Sequence, residues 1–158
     1  MGEVSGNIKS LSAADVAALM AGEGWGLARA AELNGLPGPV HLLELRHAIP
    51  LRPEQVHGIE ALYAEMNAQA RLLGERYLAA EARIEHAFRG DTATPDALRT
   101  LLAQSAALHA ELRYTHLAAH LRAAALLSEA QIARYNSLRG YTAEQTSPHR
   151  QHSARANR

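Results

Sequence analysis

Small and apolar side chains recur at alternating spacings of four and three along two stretches of the chain. The first stretch runs Ile59, Tyr63, Met66, Ala70, Leu73, Tyr77, Ala80, Ile84, Ala87. The second runs Leu98, Leu102, Ser105, His109, Leu112, His116, Ala119, Ala123, Leu126. Such a seam belongs to a helix packed lengthwise on another helix. Only Gly90-Asp91-Thr92-Ala93-Thr94 joins the two, so they are expected to fold back on each other as a long antiparallel helical hairpin. Its first arm is expected from Pro53 to about Arg89, spanning roughly 50–55 Å. Its second arm follows the cap Thr94-Pro95-Asp96 and reaches about Leu127. The register places His109 across from Tyr77 and His116 across from Ala70, and brings His120 near Met66 and Tyr63.

Shorter elements flank the hairpin. Ser12-Ala13-Ala14-Asp15 reads as a capping box that opens a helix to about Ala21. A second short helix is expected from about Trp25 to Leu33, ended by Asn34-Gly35. A third runs from Val40 to about Ala48, with Pro39 at its first position and Pro50 ending it. Ser128-Glu129-Ala130-Gln131 is another capping box, opening a helix that Gly140 stops after Arg139. Residues 142–158 are polar and carry Pro148, which reads as a disordered tail. No strand pattern appears. The expected organisation is thus residues 1–39 as short helices with a Gly/Pro-rich joint, 40–141 as the hairpin domain, and 142–158 as the tail.

Composition narrows the function classes. Sixteen basic and sixteen acidic residues cancel over 158 residues, which gives no electrostatic case for nucleic acid or an anionic membrane. There is no cysteine, so disulfides, zinc-thiolate sites and thiol catalysis are excluded. Aromatics are 4%, so the core must be built of leucine and alanine, and dimerisation is expected to add burial. No apolar run approaches the length of a membrane span, so membrane insertion is not expected. No charged leader with an apolar block precedes Val4, so no signal peptide is expected.

Histidines interrupt the second seam. His116 and His120 are four apart, which puts both imidazoles on one helix face within chelating reach. His109 lies two turns before His116 on the same stripe. Met66 is expected nearby, and imidazoles with a thioether suit copper or nickel better than magnesium or calcium. On the third short helix His41 and Glu44 share a face, with His47 further round. The competing reading is that these are ordinary histidines bonded to water or to the partner helix, with Met66 as core filler. Gly22-Glu23-Gly24-Trp25-Gly26 lacks the strand and the spacing of a nucleotide loop. A flexible joint with Trp25 docked on the hairpin accounts for it better. No HExxH, nucleophile elbow or P-loop occurs, so no enzyme is expected.

Two helix starts match one another. Leu51-Arg52-Pro53-Glu54-Gln55 and Leu127-Ser128-Glu129-Ala130-Gln131 resemble the paired LTxxQ motifs of the bacterial periplasmic family of Spy-, CpxP- and ZraP-like chaperones and CnrX-like heavy-metal sensors. The resemblance covers about Val40 to Tyr141. Arg52 departs from the motif because it cannot accept the hydrogen bond that Thr or Ser accepts. The resemblance implies an all-α, hooked, dimeric hairpin in the periplasm. It implies heavy-metal sensing or buffering with copper, nickel, cobalt or zinc. The metal ligands would come from His116, His120, His109 and Met66, and from His41, Glu44 and His47. The alternative it carries is an ATP-independent chaperone for unfolded clients, or an adaptor for a membrane-bound signalling partner.

Overall fold

A computed structural model describes residues 8–141. The expected tail and the segment before Ile8 lie outside the described residues. The described chain is all-helical, with six helices and no strand. They are α1 (Ala13–Ala21), α2 (Arg29–Glu32), α3 (Pro39–Glu44), α4 (Pro53–Arg89), α5 (Pro95–Ala125) and α6 (Glu129–Arg139). The two long helices, α4 and α5, pack together as their seams require. Of the described residues, 8–27 and 65–116 gather in one compact unit, and 28–64 and 117–141 in another.

Most boundaries follow from local chemistry. Pro53 and Pro95 open the long helices where a missing N–H costs nothing. Ser12 and Ser128 each accept from the backbone N–H three residues on, and Asp15 and Gln131 bond back. Gly22 and Gly140 end α1 and α6 with φ of 71° and 77°, in the left-handed region that glycine enters freely. Three elements are shorter than the pattern implies. α2 begins only at Arg29, because Trp25 has φ 49° and Gly26 φ 69°, and neither conformation continues a helix. α3 ends at Glu44, and the turns that follow carry Ile49 into full burial before Pro50. α5 stops at Ala125, where the N–H groups of Leu126 and Leu127 tighten onto carbonyls three residues back.

In the first unit α1 docks on α4. Val16 and Leu19 are buried with Leu73, Tyr77 and Leu78 of α4 and Leu112 of α5. The last carbonyls of α1 are received by α4. The Asn67 Nδ2 donates to Ala21 O at 3.0 Å, and Leu19 O lies directly over Gly74. Asn67 and Gly74 are two turns apart on one face of α4. Between the long helices Ser105 Oγ donates to Glu81 Oε1 at 2.6 Å. His109 meets Tyr77, as the register expects, with ring centroids 5.8 Å apart. Trp25 closes the group at 6.0 Å from Tyr77, and its Nε1 donates to Asp15 Oδ1 at 3.0 Å.

In the second unit Leu42, Ile49, Ile59 and Tyr135 are fully buried. α3, α4 and α6 thus each give the core at least one large side chain. Gly58 of α4 faces, where its Cβ is missing, the side chain of Leu126, the residue that follows α5.

Candidate functional site

The two matching helix starts meet in the second unit. Gln55 Nε2 donates to Gln131 Oε1 at 2.8 Å, and Gln131 Nε2 donates to Gln55 Oε1 at 2.9 Å. Each Oε1 also accepts the backbone N–H at its own helix start, Arg52 N at 2.9 Å and Ser128 N at 2.9 Å. Each Nε2 also donates to the carbonyl two residues before the other helix's cap. Gln55 reaches Leu126 O at 2.9 Å and Gln131 reaches Pro50 O at 3.1 Å. The pair is therefore symmetric, and all four hydrogen-bonding positions of each amide are filled. Arg52 lacks a capping side chain, yet this copy keeps the back-bond from Gln55. The Arg52 guanidinium instead pairs with Glu54 at 3.3 Å on the surface, a contact of little energetic weight.

A second cluster surrounds Glu32, at the end of α2. Its Oε1 accepts from the Tyr135 hydroxyl and from the Tyr141 hydroxyl at 3.2 Å, and Arg139 Nε lies 3.4 Å away. Its Oε2 is buried without a hydrogen bond. His120 Nδ1 stands 3.9 Å from that oxygen and donates to the Leu36 carbonyl at 2.8 Å. The ring of His120 occupies the space a side chain at residue 38 would need. A Cβ on Gly38 would meet its Nε2 at 2.6 Å. Since Gly38 caps α3, the imidazole is held against the start of that helix.

The candidate ligands divide between the units. In the first, His109 packs edge-on against Tyr77 and Trp25, Met66 is buried, and His116 is 3% exposed. In the second lie His120 and the α3 group. His41 Nδ1 contacts Glu44 Oε2 at 3.0 Å, so this i, i+3 pair does share a face. His47 is exposed in the turn after α3. The register expects Met66 and Tyr63 beside His120, but its hydrogen bond goes to Leu36, a segment outside the two long helices. Among the described residues no three His, Cys, Asp or Glu side chains already stand together in a metal-holding group.

Sequence reasoning missed Glu32 and its partners. Tyr135, Arg139 and Tyr141 are separated from it by more than a hundred positions, and no spacing rule links them.

Burial tunes two tyrosines. Burial first, then the neighbouring Glu81 charge, pushes the Tyr77 hydroxyl up to about 12. Burial and the hydrogen bond to Glu32 push Tyr135 upward as well. A tyrosine raised in the folded state contributes stability that is complete below its unfolded value near 10. That contribution is lost as pH climbs through the folded value. The protein is thus expected to lose stability progressively between about pH 10 and 12. Tyr77→Phe should flatten that decline when urea unfolding is followed by circular dichroism across this pH range. An unchanged alkaline profile would mean that Tyr77 ionises as freely folded as unfolded. The Asp15 carboxyl moves the other way, lowered by the Trp25 hydrogen bond and then by the backbone and side chain of Ser12.

No protein family, curated protein or solved structure matches the chain. Among the described residues no helix is long and apolar enough to cross a membrane.

Proposed function

We propose that this chain is a non-catalytic heavy-metal-binding protein of the periplasm, a sensor or buffer in stress or resistance, as its paired helix-start motifs imply. One observation supports the metal reading most. Two histidines of the second unit commit Nδ1 to an oxygen, His120 to Leu36 O at 2.8 Å and His41 to Glu44 at 3.0 Å. A carbonyl or carboxylate oxygen can only accept, so Nδ1 carries a proton, and in the neutral ring Nε2 keeps its lone pair. That is the orientation in which a histidine binds a metal, with an outer oxygen fixing the tautomer. The two candidate ligands are His120 and His41 of α3, each with its Nδ1 held by its own oxygen. Nitrogen donors of this kind suit copper, nickel, cobalt or zinc.

The expected result is binding of at least one of these ions by the full chain with Kd below about 100 μM, equivalent to roughly 5–6 kcal/mol. Calorimetric titration of each ion checks it. Replacing His41 and His120 together by alanine should remove the tightest site. Unchanged affinity in that variant, or no binding by the parent, overturns the reading.

The second reading is an ATP-independent chaperone or adaptor. It is favoured by large apolar side chains left in water on the long helices of the first unit, Phe88 at 61% and Tyr114 at 68% exposure. It predicts suppression of client aggregation without metal. Leu121, exposed on α5, with Leu117 one turn before it, is the face proposed for a homodimer.

A further inference from the structure

The helix α5 is apolar on two opposite faces. On one side Ser105, Leu112, His116, Ala119 and Ala123 are buried. On the other, Ala103, Ala107, Ala110, Tyr114, Leu117 and Leu121 follow one another at spacings of four and three. That is the spacing of a second helix-packing seam, and no residue in it is charged. This seam lies in water. Its three alanines are exposed, Tyr114 and Leu121 are among the most exposed large apolar side chains, and Leu117 is half-buried. The other long helix, α4, instead sets Glu75, Arg76 and Arg83 in exposed positions. A helix apolar on both faces is ordinarily covered on both, and an uncharged strip of this length marks an interaction surface.

We infer that a second copy of this chain covers the strip, its α5 lying antiparallel along the first about a two-fold axis level with Leu112. The inference rests on the homodimer reading of Leu117 and Leu121 and adds the direction and pairing of the helices. The strip's own order of residues selects this partner. Its first half is three alanines and its second half three large side chains, at mirror-image spacings. Turning a copy end for end sets Tyr114 on the partner's Ala110, Leu117 on the partner's Ala107 and Leu121 on the partner's Ala103. Every bulky side chain then meets a small one in both directions, as an isologous contact requires. A parallel pair would stack the large side chains on their own counterparts and hold the alanine halves apart. The strip is roughly 27 Å long. With its flanks it covers roughly 1,000 Å² over the two copies, the lower limit of a specific interface, so the dimer dissociates in the micromolar range. The same symmetry sets Glu111 beside the partner's Glu111 and Arg113 beside the partner's Arg113. Both positions are exposed, where a charge pair carries little energy and salt screens it.

The test places spin labels on the full chain, which has no cysteine of its own. Arg99→Cys and Glu111→Cys each carry one label at an exposed position of α5, and double electron–electron resonance reads the distance between copies. Residue 99 stands roughly 20 Å along the helix from the axis, so its two labels should be roughly 40 Å apart. Those at residue 111, close to the axis, should be nearer than about 20 Å, since packed helices lie about 8–10 Å apart. Short distances at both positions mean a parallel pair, which overturns the inference and leaves the homodimer reading standing. Long distances at both, or sedimentation as a monomer at about 100 μM, overturn both. Leu121→Glu should weaken the dimer about tenfold or more, with helicity by circular dichroism unchanged, because Leu121 already meets water in the single copy. Leu72→Glu, exposed on α4, should leave the dimer as it is. A Leu121 variant that pairs as tightly as the parent, or an equal loss in the Leu72 variant, overturns the inference.

Discussion

Gly74→Ala is expected to destabilise the protein by about 2 kcal/mol, although alanine is the better helix former by ~1 kcal/mol. A Cβ at this position would stand 2.3 Å from Leu19 O and 3.1 Å from Leu19 C. Those are backbone atoms of α1, and they cannot rotate away as a side chain can. The whole of α1 would have to lift from α4, drawing Val16 and Leu19 from the core and stretching the Asn67 bond to Ala21 O. Overpacking of this kind costs about 1–3 kcal/mol, sometimes more. Gly58 on the same helix is the internal control. Its Cβ would meet only the Leu126 side chain, at 3.4 Å, so Gly58→Ala should be neutral or stabilise by up to ~1 kcal/mol. Urea or thermal unfolding of both variants measures the contrast. Equal effects at the two positions would show that α1 does not rest on Gly74.

Gln55→Ala is expected to cost about 3 kcal/mol. It strips partners from Leu126 O, from Arg52 N and from both ends of the Gln131 amide. Each buried polar group left unpaired costs about 1–3 kcal/mol, moderated where water can reach. Gln131→Ala should cost a similar amount, for it strips Pro50 O and Ser128 N in the same way. Once either amide is gone, much of the second loss has already occurred. The double variant should therefore fall short of the sum of the two single losses by about 1–3 kcal/mol. Additivity within about 0.5 kcal/mol would mean that the reciprocal pair contributes nothing of its own. The paired motif would then be two independent caps.

The parts of this protein legible in its sequence are those that local chemistry settles. The start of α4 at Pro53, its end at Arg89, the start of α5 at Pro95 and both serine capping boxes appear where the residues placed them. The four-three spacing supplied the packing of the long helices, and with it the meeting of His109 and Tyr77. The Ser128 capping box likewise announced the bond from Gln131 back to its own helix start, whereas the one from Gln55 to Arg52 N emerged only in the structure. That the two amides then clasp each other was not readable, because the partners are 76 positions apart and no local spacing links them.

The histidines show where such reading ends. Periodicity assigns a residue to a face of its helix; it does not say what stands opposite. His109, His116 and His120 share a stripe, yet one packs among aromatic rings, one is buried in the first unit, and one bonds Leu36, 84 positions away. Glu32 sits in a four-residue helix with no sequence signal, and only folding brings Tyr135, Arg139, Tyr141 and His120 around it. Helix lengths and caps depend on interactions within a few residues, so the sequence by itself determined them. Which nitrogen of an imidazole is occupied, and which oxygen of a carboxylate is left open, depends on groups far apart in the chain. Those were decided only when the tertiary structure fixed their distances.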